Sequence, residues 1–301
     1  MHLPMSKNLR RTFMALRVGF IGLGNQGKPI AAHLAPAGFR TTVYDIADEP
    51  VQELVKGGAT AATTPRELGA NADIVGVCVP EDAHVIDVVL GDDGLLAGMS
   101  AGGIILIHST VMPETAARLA DAASAKDIEV MDACVTGGAI RAASKEITYL
   151  VGGSETALNR ARPYFEATTN VPVIHAGELG NGAKVKLCLN LITYIQWSAA
   201  YESMALARAI GLPQDILEAA GKANGQLTDL MVTYLGSHKL PEEVVSTEGF
   251  QGLMKNHMNI AEKDLAWALQ LARKSGVALP VGSLVSQSMA RLYNVDDKWR
   301  R

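Results

Sequence analysis

The sequence contains little cysteine. Three of its 301 residues are cysteines, Cys78, Cys134 and Cys188, and they lie far apart among apolar neighbours. This odd, scattered set favours reduced core thiols over disulfides or a metal cluster. We therefore predict a cytoplasmic protein. His175 and His257 have no second ligand at metal-like spacing, so we predict no metal site.

The chain also lacks an excess of positive charge, and it has few aromatic side chains. The 27 basic residues are outnumbered by 31 acidic ones, the formal net charge is −4, and aromatic residues make up 5% of the chain. Nucleic-acid-binding proteins usually combine a strong positive field with aromatic platforms on which bases stack. We therefore expect no nucleic-acid partner, and the composition favours a small-molecule ligand.

Long apolar runs are lacking as well. The longest candidate, 187–201, is interrupted by Asn190 and Gln196, whereas a membrane span needs about 20 apolar residues in succession. A basic leader precedes the first apolar run, and we predict that residues 1–16 form a flexible N-terminal tail. The expectation is a soluble protein without membrane contact.

Apolar residues are plentiful, at 48% of the chain, and the length allows about two globular domains. In the first half, short β-branched runs alternate with alanine-rich stretches, which indicates a parallel sheet covered by helices on both faces. The predicted strands are 18–21, 41–44, 74–79, 104–107 and 128–131.

The second half has no strand-like runs. Its predicted helices are 184–210, 214–223, 254–275 and 281–293. Three glycines within 177–182 mark the seam between the halves. The predicted fold class is α/β: a doubly wound parallel sheet of the Rossmann type over 17–179, followed by an all-helical C-terminal domain over 180–301. A long interdomain helix from about residue 183 joins the two.

A glycine-rich turn follows the first predicted strand. The six residues Gly22-Leu23-Gly24-Asn25-Gln26-Gly27 fit the GxGxxG pattern and lead into a predicted helix over 28–35. In a dinucleotide-binding turn, the first glycine makes the tight turn, the second lets the backbone approach a pyrophosphate, and the third allows close helix–strand packing. We predict that these six residues bind a dinucleotide cofactor.

An acidic residue closes the second predicted strand. Asp45 lies about 20 residues beyond the fingerprint, where a carboxylate accepts hydrogen bonds from the adenosine ribose. The segment after it adds Asp48 and Glu49 but no lysine or arginine. Because a 2′-phosphate would meet like charges there, we predict NAD as the cofactor and regard NADP as disfavoured.

Two further groups of residues are candidates for substrate binding and catalysis. Thr136-Gly137-Gly138 follows a predicted strand, and a hydroxyl beside two glycines can form a backbone nest that binds a carboxylate. Lys186 and Asn190 are four residues apart, so they share one face of the long predicted helix. Together they can hold a hydroxyl or carbonyl oxygen, but on spacing alone a solvated helix face is the better explanation.

Five ordered motifs resemble the β-hydroxyacid dehydrogenase family, which includes 3-hydroxyisobutyrate dehydrogenases and semialdehyde reductases. The resemblance runs from about residue 17 to residue 293. The larger 6-phosphogluconate dehydrogenases share these motifs, but this chain lacks the length of their helical domain. The motifs are the strand and fingerprint 18–24, Ser109-Thr110 with Pro113, Asp132 to Gly138, Gly180 to Asn190, and Lys263-Asp264-Leu265.

The resemblance implies a role for each matching residue. Lys186 corresponds to the family's catalytic general acid/base, and Asn190 to the amide that orients the substrate oxygen. Thr136, Gly137 and Gly138 correspond to a Ser-Gly-Gly that binds the substrate carboxylate, with threonine keeping the hydroxyl. The implied reaction is hydride transfer between a small hydroxy acid and the nicotinamide.

Further cofactor contacts follow from the same resemblance. Val79, Pro80, His84 and Thr110 match positions that line the nicotinamide half, and Lys263 matches a C-terminal lysine that reaches the cofactor. His84 fits a solvent-facing histidine at a helix start equally well.

Arg141 and Lys145 depart from the family, which usually has glycines at these positions. Either they contact a second anionic group of the substrate, which favours a dicarboxylic acid, or they are exposed loop cations. The sequence leaves both interpretations open and does not identify the hydroxy acid.

The leading hypothesis is an NAD-dependent dehydrogenase that oxidises a small, 3-hydroxyisobutyrate-like β-hydroxyacid to its semialdehyde or keto acid. One alternative is an NAD(P)H-dependent reductase of a short semialdehyde or glyoxylate-type substrate. The other, of a different class, is a non-catalytic dinucleotide sensor; the presence of Lys186 and of Thr136-Gly137-Gly138 argues against it. Because relatives pair through the helical domain, we expect a homodimer or homotetramer.

Overall fold

The computed structural model describes residues 16–297 and divides the chain into two compact units after Lys186. Residues 1–15, nearly all of the predicted N-terminal tail, lie outside the described range. The division after Lys186 falls inside a long helix, and the predicted domain boundary at 179 remains a prediction. Between residues 16 and 297, no helix is long and apolar enough to cross a membrane.

A single eight-stranded sheet forms the centre of the first unit, and its strand order is β3-β2-β1-β4-β5-β6-β7-β8. The strands are β1 (Arg17–Ile21), β2 (Arg40–Tyr44), β3 (Thr60–Ala61), β4 (Ile74–Val77), β5 (Ile104–Ile107), β6 (Glu129–Thr136), β7 (Thr148–Gly152) and β8 (Ile174–Gly177). β7 is antiparallel to β6, and the other neighbours are parallel. The strand order reverses between β1 and β4, as in a doubly wound fold, so the predicted Rossmann-type sheet is confirmed.

Both faces of this sheet are covered by apolar packing. Along β5, Ile104 and Leu106 belong to one buried cluster, whereas Ile105 and Ile107 belong to another. Successive side chains of a strand point to opposite faces, so the two clusters are the cores on the two sides of the sheet. This two-sided burial explains why the parallel strands appear in the sequence as continuous apolar runs.

Helices cover the sheet and connect its strands. Those of the first unit are α1 (Gly27–Ala31), α2 (Asp48–Lys56), α3 (Pro65–Ala70), α4 (Asp82–Leu90), α5 (Leu95–Gly98), α6 (Pro113–Ser124), α7 (Gly138–Ala143) and α8 (Glu155–Thr168). Helix α9 (Asn181–Ala209) begins in the first unit and ends in the second, and it confirms the predicted long helix.

All the regular structure described in the second unit is helical, which confirms the predicted fold class. After α9 come α10 (Gln214–Ala223), α11 (Asp229–Leu235), a 3₁₀ turn (Gly236–Lys239), α12 (Glu242–Val245), α13 (Glu248–Lys274), α14 (Pro280–Ser286) and α15 (Met289–Leu292).

Several element boundaries differ from the predictions. Helix α1 ends at Ala31 rather than at residue 35, because the chain continues in tighter turns such as the hydrogen bond from His33 N to Ile30 O. Helix α13 begins at Glu248 rather than at residue 254, because the Thr247 hydroxyl caps it by accepting from Phe250 N at 3.3 Å. The predicted helix 281–293 is two short helices, α14 and α15.

Three strands were not predicted, namely β3, β7 and β8. β3 has two residues and β8 is an edge strand with exposed Ile174 and His175, so neither carries a recognisable pattern. The prediction that all cysteines are core thiols was wrong for Cys188: Cys134 is buried and Cys78 is half-buried, but Cys188 lies on an exposed face of α9.

Candidate active site

The predicted cofactor residues of the first unit follow the carboxyl ends of neighbouring parallel strands. The fingerprint follows β1, Asp45 follows β2, Val79 and Pro80 follow β4, and Thr110 follows β5. In open α/β sheets, ligands bind beyond this edge, where the strand order reverses. The sheet therefore brings together residues that are up to 88 positions apart between Gly22 and Thr110.

The three fingerprint glycines have different surroundings. Gly22 has φ +90°, and a Cβ there would lie 2.2 Å from the carbonyl oxygen of Cys78. A Cβ on Gly27 would lie 1.9 Å from Gly22 O, so the start of α1 packs directly on the turn. A Cβ on Gly24 would meet no atom within 4 Å. Gly22 and Gly27 therefore shape the turn, and Gly24 leaves an open surface of backbone that a ligand can approach.

Asp45 holds the fingerprint turn through the backbone. Its Oδ2 accepts a hydrogen bond from Leu23 N at 2.5 Å, and its Oδ1 accepts one from Ala47 N at 2.8 Å. A carboxylate oxygen has two lone pairs, so both atoms keep capacity to accept from a hydroxyl. Asp45 thus orders the turn and still offers acceptors to a ribose. The sequence predicted only the second of these properties.

The loops after β4 and β5 are joined by a side chain without a predicted role of its own. Ser109 is buried, and its Oγ accepts a hydrogen bond from Val79 N at 2.9 Å. Thr110 is half-buried beside it, whereas Pro80 is exposed. His84 is exposed in the first turn of α4.

The predicted carboxylate nest lies at the end of β6. Gly137 and Gly138 both have positive φ, +125° and +76°, and a Cβ on Gly138 would meet no atom within 4 Å. The side of Gly138 where a Cβ would lie is therefore open, and successive backbone N–H groups in such a turn are the elements of an anion-binding nest. The stem of the exposed Arg141 covers Gly137, where a Cβ would lie 3.1 Å from Arg141 Cδ. Lys145 has φ +58° and is half-buried.

Lys186 lies in the second turn of α9 and is half-buried. Burial raises the pKa of the Cys78 thiol to about 12, and the positive charge of Lys186 opposes that rise. The ammonium group is therefore near Cys78, the residue that directly precedes Val79 and Pro80. Within the first unit, Lys186 is therefore within electrostatic range of the residue that precedes the predicted nicotinamide-lining segment.

The start of α9 is held by a buried carboxylate. Asp132 Oδ1 accepts from Gly180 N at 2.7 Å, and Asp132 Oδ2 accepts from Ala183 N at 2.6 Å. Burial raises the pKa of Asp132, and the hydrogen bonds from backbone N–H groups oppose that rise. The sequence motif contained Asp132, but no role was predicted for it.

In the second unit, two predicted site residues share one carboxylate. Asn190 Nδ2 donates to Asp264 Oδ2 at 2.6 Å, and Lys263 Nζ lies 3.1 Å from Asp264 Oδ1. Lys263 Nζ also lies 3.9 Å from the centre of the Trp267 ring. Asp264 is 2% exposed. Asp264 is part of a sequence motif, but its contacts with Asn190 and Lys263 were not predicted. Asn190 lies 74 positions away along the chain, so no local pattern indicates that contact.

The residues present fit a dinucleotide. The backbone at Gly24 is open, Asp45 keeps acceptor capacity, and Gln26 Nε2 is buried without a hydrogen-bond partner among residues 16–297. A buried amide donor of this kind is costly unless a ligand or water satisfies it. Lys28, a basic residue at the start of α1, is ion-paired with Glu53 at 2.7 Å.

Two known family models match consecutive parts of the chain. Residues 17–177 match the NAD binding domain of 6-phosphogluconate dehydrogenase. Residues 180–298 match the NAD-binding domain of NADP-dependent 3-hydroxyisobutyrate dehydrogenase.

Individual proteins are similar over nearly the whole chain. An NAD-dependent L-serine dehydrogenase from Pseudomonas aeruginosa is 35% identical, and the alignment covers 89% of each chain. A 3-hydroxyisobutyrate dehydrogenase from the same organism is 33% identical, again over 89% of each. The crystal structure of a 3-hydroxyisobutyrate dehydrogenase from Salmonella typhimurium has a TM-score of 0.79 at 26% identity, covering 93% of this chain and 94% of that one.

Proposed function

The chain belongs to the β-hydroxyacid dehydrogenase family, and we propose that it oxidises a small, 3-hydroxyisobutyrate-like hydroxy acid with NAD, using Lys186 as general acid/base. Family membership makes the chain an NAD(P)-dependent oxidoreductase that acts on small hydroxy acids. The observation that carries the finer proposal is that Asp132 on β6 holds the first turn of α9, so that Lys186 in the next turn is tied to the strand that ends at Thr136.

Each residue of the proposed site has a definite role in the reaction. In its deprotonated form, Lys186 takes the proton of the substrate hydroxyl at Nζ. The family resemblance assigns Asn190, four residues further along the chain, to the orientation of the substrate oxygen. The nest at Thr136, Gly137 and Gly138 binds the substrate carboxylate. When bound, NAD supplies the acceptor for the hydride that leaves the carbinol carbon.

The choice of NAD over NADP follows from charge. Asp45, Asp48 and Glu49 surround the end of β2 and the start of α2 with carboxylates. A 2′-phosphate in that place would be repelled by like charges.

The substrate class follows from the relatives. L-Serine and 3-hydroxyisobutyrate, which appear in the relatives' names, share a three-carbon 3-hydroxy acid skeleton and differ in the substituent on C2. We therefore expect a 3-hydroxy acid whose carboxylate lies in the nest and whose hydroxyl faces Lys186.

The test is NADH formation at alkaline pH with a panel of 3-hydroxy acids, both monocarboxylic and dicarboxylic, repeated with NADP. We expect turnover of at least one acid with NAD. We also expect the Lys186→Ala variant to lose activity by at least about 100-fold, the lower end of the usual contribution of a general base. The matched control is Lys184→Ala, which removes an exposed lysine two residues earlier in the same helix and leaves the reacting groups in place.

Full activity of Lys186→Ala would refute the assigned role. If no acid reacts but NADH binds, short semialdehydes are tested in the reducing direction. Absence of NADH oxidation with every semialdehyde would support a non-catalytic dinucleotide sensor. Within the same panel, Arg141→Ala distinguishes the two interpretations of that residue: a second anion contact raises KM for dicarboxylic acids alone, and an exposed cation changes neither KM.

A further inference from the structure

Strand β6 carries two different groups that relate to the active site. Asp132 lies in the middle of the strand, and Thr136 lies at its end, at the start of the carboxylate nest. We propose that Asp132 is a positioning residue that holds the start of α9, and with it Lys186, at a set distance from the substrate carboxylate. This inference rests on the proposed function, because it assigns a purpose to the placement of Lys186.

The contact between Asp132 and α9 is direct. Oδ1 accepts from Gly180 N at 2.7 Å and Oδ2 accepts from Ala183 N at 2.6 Å, with Asp132 fully buried. The first N–H groups of an α-helix have no partner within the helix. A carboxylate on the sheet satisfies them here, so the helix cap is also the joint between α9 and β6.

Glycines leave the room that this joint needs. Gly152 pairs with Asp132 across the antiparallel β6–β7 ladder, and a Cβ there would lie 2.5 Å from Asp132 Oδ1. A Cβ on Gly182 would lie 2.8 Å from Asp132 Oδ2 and 2.4 Å from Leu150 O. Both sides of the carboxylate are thus closed by backbone, which fixes the carboxylate in one position.

The joint sets the geometry of the site. From Asp132 to Thr136, the strand advances about 13 Å, at roughly 3.3 Å per residue. From Ala183 to Lys186, the helix advances about 4.5 Å, at 1.5 Å per residue. Both are rigid elements, so a shift of α9 at Asp132 moves Lys186 relative to Thr136 by a similar amount. A misplacement of about 1 Å can reduce the rate of an enzyme by about 100-fold.

Among residues 16–297, no positively charged side chain forms an ion pair with Asp132. Glu178 and Lys184, the charged side chains of the turn and first helical residues, are both exposed, and Lys184 Nζ donates to Asn181 Oδ1 at 3.0 Å. The effect of Asp132 therefore depends on directed hydrogen bonds, and an amide of the same size replaces them only in part, because its NH₂ faces an N–H donor.

The experiment compares wild type with Asp132→Asn on the acid that the panel identifies. It measures kcat, KM, the Kd of NADH by fluorescence titration, and the kinetic isotope effect with substrate deuterated at the carbinol carbon. Ser154→Ala is the matched control: it removes the cap of α8, where Ser154 Oγ accepts from Ala157 N at 3.0 Å, and it touches no site residue. If Asp132→Asn does not fold, Asp132→Ser keeps a smaller oxygen acceptor and is measured in the same way.

We expect kcat of Asp132→Asn to fall about 10- to 100-fold, with KM and the NADH Kd within about threefold and a larger isotope effect, because misplaced Lys186 slows the chemical step. Ser154→Ala should keep the wild-type kcat. A kcat of Asp132→Asn within about twofold of wild type would overturn the positioning role and leave the proposed function intact. Absence of turnover by the wild type with every acid and aldehyde would overturn both.

Discussion

At the scale of single residues, the three glycines of the fingerprint have different surroundings. Gly22 and Gly27 lie against backbone carbonyl oxygens, whereas Gly24 lies against open space. A side chain at either of the first two would distort the fold, but one at Gly24 would meet only the ligand. The fingerprint therefore contains two glycines that shape the turn and one, Gly24, that we expect the cofactor to approach.

This difference predicts separate effects on stability and binding. Gly24→Ala should leave the free energy of unfolding within about 0.5 kcal/mol of wild type. It should also raise the Kd of NADH at least about tenfold, because the methyl group keeps the pyrophosphate from the backbone. Urea unfolding and NADH fluorescence measure the two quantities. Gly27→Ala is the control that should lose stability, and wild-type NADH affinity in Gly24→Ala would contradict the assignment.

Lys145 carries local backbone strain. Its φ of +58° lies in the left-handed region, which costs a non-glycine residue about 1–2 kcal/mol. Lys145→Gly should therefore raise the free energy of unfolding by about 0.5–1 kcal/mol, after allowance for the greater freedom of glycine in the unfolded chain. Asp127→Gly, at φ +55°, should gain less, because aspartate tolerates this conformation better. Equal gains in urea unfolding would contradict this explanation.

At the scale of elements, the second unit joins α9 to α13 through a buried polar contact. Asn190 on α9 donates to Asp264 on α13, and Tyr194, one turn further along α9, donates to the same oxygen at 3.5 Å. Lys263 supplies the opposing charge at 3.1 Å. A buried carboxylate without such partners is strongly unfavourable, so these contacts depend on one another.

Removal of the Asp264 side chain should therefore destabilise the folded second unit. Asp264→Ala should lower the free energy of unfolding by about 3–5 kcal/mol, because it breaks a buried ion pair with Lys263 at 3.1 Å and removes the acceptor of Asn190 Nδ2. A double-mutant cycle with Asn190→Ala should give a coupling energy of about 0.5–3 kcal/mol by urea unfolding. Strict additivity of the two changes would show that the hydrogen bond contributes nothing to the packing of α9 on α13.

At the scale of the whole molecule, the stability of the first unit depends on a neutral histidine in its core. His108 Nδ1 lies 2.8 Å from Ala133 O, and its Nε2 lies 2.7 Å from the Tyr164 hydroxyl. The geometry fits a neutral ring that donates from Nδ1 and accepts from the tyrosine. Burial lowers the pKa of His108 to about 4.

This histidine predicts acid sensitivity. Between pH about 6.5 and about 4, the unfolded chain binds a proton at this position that the folded chain does not, so stability falls as the pH falls. The contribution is up to about 3 kcal/mol, from about 1.4 kcal/mol per pKa unit. Denaturant unfolding across this range should show a shallower pH dependence in His108→Gln, which can still donate and accept. An unchanged slope would contradict the assignment.

The expected homo-oligomer also belongs to this scale and remains a prediction. The second unit exposes large apolar side chains, including Ile210 at 68% and Leu284 at 70%. A second copy of the chain would remove such surface from water. Light scattering at micromolar concentration should therefore give the mass of a dimer or tetramer, and a monomer would contradict the expectation.

Much of this architecture was predictable because it depends on local pattern. The runs at β1, β4 and β5 are apolar throughout, and Gly211 with Pro213 ends the long helix near the predicted residue. Three strands were missed: β3 is too short and β8 is an exposed edge, whereas β7 is a short, mostly buried run that was not recognised as a strand.

The sequence by itself determined the fold class and gave the candidate site residues, because hydrophobic period and short glycine motifs act over a few neighbouring positions. Tertiary structure alone decided how those residues are held. Asp132 meets Gly180 across 48 positions, and Asp264 meets Asn190 across 74. Such contacts depend on which strands become neighbours and which helix packs on which, and no local pattern along the chain encodes them.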